Sequence, residues 1–141
     1  MTRAQLPAKS PCGSCPYRTD VPSGVWDPEE YAKLPQYDED TPFQPTGLFM
    51  CHQMDGRICT GWAGCHDMVH SLGVRIAISI GDLTSDDADA LMDYVSAVDL
   101  HPTGKAAAEH GMAEIETPTP QAVRTIRKIT RTTTGKRTPH E

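Results

Sequence analysis

Apolar residues recur at helical spacing in the middle of the chain. From Gly61 to Ile80 they appear every three or four positions, which predicts a mainly helical segment that Gly73 could divide. The last seven residues, Val74–Ile80, also alternate between apolar and small or polar side chains, as a strand does. Helix and strand both remain open for those residues.

Three later segments also have a helical pattern. The strongest is Ser85–Val98, where Ser85 is the predicted cap and apolar side chains form one face. Lys105–Ile115 is a shorter predicted helix. Pro120–Arg131 is predicted to be amphipathic, with Ala122, Val123, Ile126 and Ile129 on one side and basic residues on the other.

The N-terminal half is less regular. Asp27-Pro28 predicts the start of a short helix that ends near Leu34, with Asp27 as cap and Glu30 completing a capping box. Residues 35–48 have no periodicity and predict a loop. We therefore expect a mainly α fold with an irregular, metal-stapled N-terminal half, in a small α or α+β single domain.

The predicted organisation has three parts. Residues 1–11 form a flexible arm, residues 12–116 the metal-stapled domain, and residues 117–141 a linker, a basic amphipathic helix and a disordered tail. Hydrophobic residues make up 38% of the chain and aromatic residues 6%, while Gly and Pro together number 23. Because this composition is lean for a packed core, a covalent or metal staple would help the fold.

Charge is segregated along the chain. The formal net charge is -6, but residues 121–141 carry six basic side chains and one acid, so the remainder has a net charge of -11. Such a tail suggests contact with a nucleic acid or an acidic protein, unless it is solvated or folds back on the acidic body. The candidate contact residues are Arg124, Arg127, Lys128, Arg131, Lys136 and Arg137.

The N-terminus has no apolar region typical of a signal peptide, and no run approaches the length of a membrane span. We therefore expect a cytoplasmic protein. In a reducing compartment, grouped cysteines are more often metal ligands or catalytic thiols than disulfides.

The five cysteines have a metal-ligand pattern. A Cys-x2-Cys pair, Cys12 and Cys15, lies far upstream of Cys51 and Cys59, and these four are the predicted ligands of one tetrahedral structural zinc. Cys65 lies on an apolar helical face, where a lone cysteine is usually a small core residue. It remains open whether Cys65 or His52 replaces one of the four.

The metal is also open. Four thiolates give a net charge near -2 with either Zn²⁺ or an oxidised [4Fe-4S] cluster, and Arg18 and Arg57 are close enough in sequence to offset it. Pro16 after Cys15 is similar to ferredoxin ligand runs, although the Cys-x2-Cys-x2-Cys run is absent. Zinc is favoured, with an iron–sulfur redox or regulatory protein as the alternative. We expect Trp62 and His52 to lie beside the ligands.

Together, the motifs CxxCPYR at 12–18, FxCHQ at 49–53 and CxGW at 59–62 resemble a family of small proteins of unknown function from actinobacteria and their bacteriophages. The resemblance covers about residues 11–80. It implies that Cys12, Cys15, Cys51, His52 and Cys59 belong to the family pattern, and that the compartment is the host cytoplasm if the protein is phage-encoded. It implies no reaction.

An enzyme is the less favoured reading. A catalytic metal needs an open coordination position, and four cysteines leave none. A thioredoxin-type role for Cys12 and Cys15 would require a preceding strand and a following helix, which the pattern does not predict. The sequence therefore favours a non-enzymatic accessory or regulatory protein, and leaves its oligomeric state undetermined.

Overall fold

The computed structural model describes residues 5–51 and 56–132. Within those ranges the protein is mainly helical, in agreement with the expected fold class, and strand pairing is limited to isolated bridges. Its α-helices are α1 (Pro28–Ala32), α2 (Thr60–Cys65), α3 (Leu72–Ile80), α4 (Ser85–Asp93), α5 (Gly104–Met112) and α6 (Pro120–Thr132). Short 3₁₀ turns cover Leu34–Asp38, Thr41–Phe43 and Met68–His70.

The predicted helix from Gly61 to Ile80 is divided near its middle. Helix α2 ends at Cys65, and α3 begins after Ser71, whose hydroxyl accepts a hydrogen bond from the Val74 amide at 3.2 Å. Gly73 lies inside α3, where its lack of a side chain allows close packing: a Cβ there would lie 2.6 Å from the Gly47 carbonyl oxygen. The strand alternative for Val74–Ile80 is wrong, since these residues are helical.

The start of α5 is held by a carboxylate from an earlier 3₁₀ turn. Asp38 accepts hydrogen bonds from the Gly104 and Lys105 amides, both at 2.8 Å, and from His66 Nε2 at 2.9 Å. The otherwise unpaired amides at this helix start are therefore satisfied from within the chain. Asp38 thereby ties three segments together.

Two helix starts differ from the sequence prediction. Thr84, rather than Ser85, caps α4, and it forms a capping box in which its side chain and that of Asp87 each bond to the other residue's amide at 3.1 Å. Asp27 precedes α1 but its side chain makes no capping bond. Glu30 instead pairs with Lys33 at 3.3 Å.

Residues 5–11 lie against the segment that carries Cys51 and Cys59. The Gln5 amide donates to the Gly56 carbonyl at 2.8 Å, and the Ile58 amide donates to the Gln5 carbonyl at 2.9 Å. The flexibility predicted for residues 1–11 stays a prediction, and residues 1–4 lie outside the described residues.

The core joins the cysteine region to the helices. Tyr17, Trp26 and Trp62 in the first half are fully buried in the same cluster as Leu91 of α4 and Ile129 of α6. Among the described residues, no helix combines the length and the apolar character needed to cross a membrane.

We expect Thr84→Ala to lower the free energy of unfolding by about 1 kcal/mol, because it removes the cap of α4. Ser85→Ala is the matched control, since Ser85 is exposed and accepts no capping bond. Chemical denaturation of both variants measures the difference. Equal loss in both would contradict the placement of the cap.

Candidate metal centre

Two backbone turns present the four predicted ligands. In the first, the Cys15 amide donates to the Cys12 carbonyl at 3.0 Å, so the Cys-x2-Cys segment folds into a tight turn. In the second, the Cys51 amide donates to the Arg57 carbonyl and the Cys59 amide to the Phe49 carbonyl, both at 2.8 Å. This antiparallel pairing brings Cys51 and Cys59 to the same end of a hairpin-like loop.

The sulfur atoms of the two turns are in contact. Cys15 Sγ lies 3.9 Å from Cys59 Sγ, and both residues are buried. Cys12 interacts through its side chain with Cys15 and with Cys51. The contacts thus run from Cys51 through Cys12 and Cys15 to Cys59, and connect all four predicted ligands.

The thiols perturb one another. Hydrogen bonding to Cys15 raises the pKa of Cys12, hydrogen bonding to Cys51 lowers it and burial raises it, so that it reaches about 11. For Cys15, hydrogen bonding to Cys12 lowers the pKa, but Cys59 and burial raise it well above its ordinary value. Neighbouring sulfurs in a buried space resist becoming thiolates unless a cation offsets their charge.

These pairwise contacts do not yet form a complete set of metal ligands around one point. Within residues 5–51 and 56–132, no group of three or more His, Cys, Asp or Glu side chains is arranged to hold a metal ion. The donor set is chemically suitable, because four thiols from two loops match the ligand types of a closed zinc site. The spacing of the Cys15 and Cys59 sulfurs also suits a single ion: around zinc with Zn–S bonds of about 2.3 Å, neighbouring sulfurs lie about 3.8 Å apart.

Backbone and ring donors hold the turns in place. The Trp62 amide donates to Cys59 Sγ at 3.4 Å, at the start of α2. The indole Nε1 of Trp26 donates to the Ser14 carbonyl at 2.8 Å, which fixes the middle of the Cys-x2-Cys turn. Gly61 packs directly against Cys15 Sγ and Tyr17, with no room for a Cβ atom.

Five rings pack beside the sulfurs. Tyr17 contacts Phe49 and His66, and Tyr37 contacts Phe49 and Trp62, with centroid separations of 5.3 to 5.8 Å. A longer contact, with 6.4 Å between the centroids of Trp62 and His66, completes a closed cycle of five side chains. The three pairs among Tyr17, Phe49, Tyr37 and Trp62 add about 0.5–1.5 kcal/mol each beyond area burial. Trp62 therefore contributes both a packed ring and an amide donor to the region.

The two predicted charge partners act on the N-terminal segment. Arg18 forms a two-point ion pair with Asp20, at 2.8 and 2.7 Å, and donates to the Pro11 carbonyl just before Cys12. Arg57 donates to the Leu6 carbonyl at 2.8 Å. Both arginines thus fix the chain next to the cysteine turns. His52 lies outside the described residues.

Cys65 makes a different contact from the other cysteines. It is half-buried at the end of α2, and its thiol donates to the His101 carbonyl at 3.3 Å. Burial raises its pKa to about 12, with a further increase from Asp38. Its exclusion from the ligand set stays a prediction, which this separate hydrogen bond supports.

The predicted basic contact residues lie at the other end of the chain. Arg124, Arg127 and Lys128 are exposed on α6. Arg131 falls in the same helix, but its side chain is outside the described part, as are Lys136 and Arg137 entirely.

The comparisons with known proteins place this small helical chain in a family. Residues 7–129 match the family of unknown function DUF6283, so the chain belongs to that family. The match is longer than the expected resemblance over residues 11–80. The comparisons with curated proteins and with solved structures find no match.

Three supporting residues carried no ligand signal in the sequence. Trp26, Tyr17 and Gly61 act through an indole donor, a packed ring and the absence of a side chain. Tyr17 and Gly61 do lie within the CxxCPYR and CxGW motifs, whereas Trp26 lies in none of the three motifs.

We expect Gly61→Ala to displace Cys15 and lower the free energy of unfolding by about 1–3 kcal/mol, the usual cost of overpacking a core. Gly13→Ala is the control, because it lies between Cys12 and Cys15 yet a Cβ there meets nothing within 4 Å. Denaturant titration compares the two. A larger loss in Gly13→Ala would contradict this packing.

Proposed function

We propose that Cys12, Cys15, Cys51 and Cys59 bind one zinc ion, and that the ion staples the N-terminal turn to the hairpin-like loop. The observation that carries this proposal is the 3.9 Å separation of the Cys15 and Cys59 sulfurs. It is close to the spacing of about 3.8 Å around a tetrahedral zinc. Binding would draw Cys12 and Cys51 into the same tetrahedron.

The same spacing favours zinc over the iron–sulfur alternative. In a [4Fe-4S] cluster each cysteine binds a different iron at a corner of the cluster, so the four sulfurs must stand farther apart than around one ion. Cys15 and Cys59 are both almost fully buried and held by packed neighbours, Gly61 and Trp62, which leaves little room between them for a multi-iron cluster.

The role of the ion would be structural. Zinc binding in small finger peptides contributes about 10–16 kcal/mol of apparent free energy, which is large compared with the stability of a small domain. The loops it would join have little regular structure of their own. Four cysteine ligands would also fill the coordination sphere, so a non-enzymatic accessory or regulatory role fits this site better than catalysis.

Metal content and an absorption spectrum, measured on the full chain purified without oxygen, test the choice of metal. We expect one zinc per chain and no visible absorption band, because Zn²⁺ has no partly filled d shell. Iron with sulfide and a broad visible band would instead establish the cluster alternative. A chain that folds fully and binds neither metal would overturn both.

Replacing single cysteines tests the ligand set. We expect Cys59→Ser to lose zinc and to melt at a much lower temperature, because an incomplete thiolate set no longer offsets the cost of ordering the loops. Cys65→Ser is the matched control: its hydroxyl can still donate to the His101 carbonyl, so the variant should lose little stability and should retain the metal.

Zinc content and thermal melts are measured on both variants, with and without a chelator. Chelation should lower the melting temperature of the wild type and of Cys65→Ser, but leave that of Cys59→Ser unchanged. The ligand assignment would be wrong if Cys59→Ser retained stoichiometric zinc, or if Cys65→Ser lost it.

A further inference from the structure

Helix α6 has two opposite faces of different chemistry. Its apolar side is anchored in the core: Ala122 and Ile129 are buried, and Ile126 between them is half-buried. Val123 was predicted on that side but is 37% exposed, because it lies about 100° around the helix from Ala122. The helix therefore sits on the body as a fixed element and turns its other face outward.

The outward face is basic. At about 100° per residue, Arg124, Arg127 and Lys128 fall within an arc of about 100°, opposite the buried side. Pro120–Thr132 contains no acidic residue, so ion pairs along the helix cannot neutralise these charges. The face is thus a compact patch of positive charge on a body whose remaining charge is negative.

Two of these arginines are unengaged. Among the described residues, the side chains of Arg124 and Arg127 have no hydrogen-bond or ion-pair partner. The arginines of the body differ: Arg18, Arg57 and Arg75 each donate to a backbone carbonyl, and Arg18 also pairs with an aspartate. Within the described residues, the guanidinium donors of Arg124 and Arg127 therefore remain available for an anionic partner.

We propose that this face of α6 binds the phosphate backbone of duplex DNA. An interface with an acidic protein would need an apolar centre, and Val123 is the only large apolar side chain exposed on the described part of the helix. Arginine matches phosphate geometry through paired donors, and a helix about 10–12 Å wide fits the major groove of B-form DNA but not the deep, narrow groove of duplex RNA. The acidic body would repel DNA elsewhere, which limits contact to this face.

The proposal does not depend on the bound metal, since α6 lies outside the cysteine turns. The test is fluorescence anisotropy with a labelled DNA duplex of about 20 base pairs, at salt concentrations from about 50 to 200 mM. The full-length chain is used with its metal content measured in each variant. For phosphate contacts we expect the logarithm of the binding constant to fall linearly with the logarithm of the salt concentration.

The decisive variant is Arg124→Gln with Arg127→Gln. Glutamine keeps helix propensity, so the fold should remain intact. We expect the slope of log K against log salt to become shallower by about 2, since each lost phosphate contact removes about 0.9. At about 50 mM salt the affinity should fall at least about tenfold.

The matched control is Lys9→Gln with Lys105→Gln, which removes the same charge from two exposed side chains elsewhere on the surface. It should bind DNA almost as the wild type does. An equal loss of DNA affinity in both double variants would show that only net charge matters and would overturn the proposal. Absence of DNA binding by the wild type at low salt would overturn it as well. Equal or tighter binding to duplex RNA or to polyglutamate would assign the face to a different partner.

Discussion

The fold depends on the contact between two loops that meet at Cys15 and Cys59. These residues are 44 positions apart in the sequence, yet their sulfurs lie 3.9 Å apart in the core. Closing so long a loop has an entropic cost, and the loops themselves contribute few backbone hydrogen bonds to offset it. Three contacts keep these loops together: the Tyr17 ring packs on Phe49, the Trp26 indole donates to the Ser14 carbonyl, and Gly61 packs on Cys15.

The same contact explains the distribution of buried residues. Helices α3, α4 and α5 are only nine residues long each, too short to be stable alone. Residues of the first half pack closely on α5, where Gly111 meets the Tyr31 ring and Gly104 meets the Leu34 carbonyl. The irregular segments thus contribute side chains to the core and do not merely cover its surface. This is why a chain with 38% hydrophobic residues can still bury a continuous cluster.

The sequence was most informative where one local pattern decides the structure. The period of α6 and the start of α1 at Pro28 follow from apolar spacing and from proline preference, and both appear as expected. It failed where neighbouring residues compete. Thr84 and Ser85 are adjacent and both are capable caps, and in the structure it is the Thr84 side chain that accepts from the Asp87 amide. The break in the 61–80 segment was also misplaced: it falls between Cys65 and Leu72, whereas Gly73, the predicted divider, lies inside α3.

The candidate site follows the same rule. Cysteine spacing was enough to nominate Cys12, Cys15, Cys51 and Cys59 as one group, because a Cys-x2-Cys turn with two later cysteines is the ligand pattern of a tetrahedral zinc site. The supporting contacts were out of reach, since the Trp26 indole bonds a carbonyl twelve residues earlier and Gly61 acts only by being small. Residue chemistry can therefore nominate ligands from the sequence alone. The shape that places the Cys15 and Cys59 sulfurs 3.9 Å apart comes from side chains whose own identity says nothing about a metal.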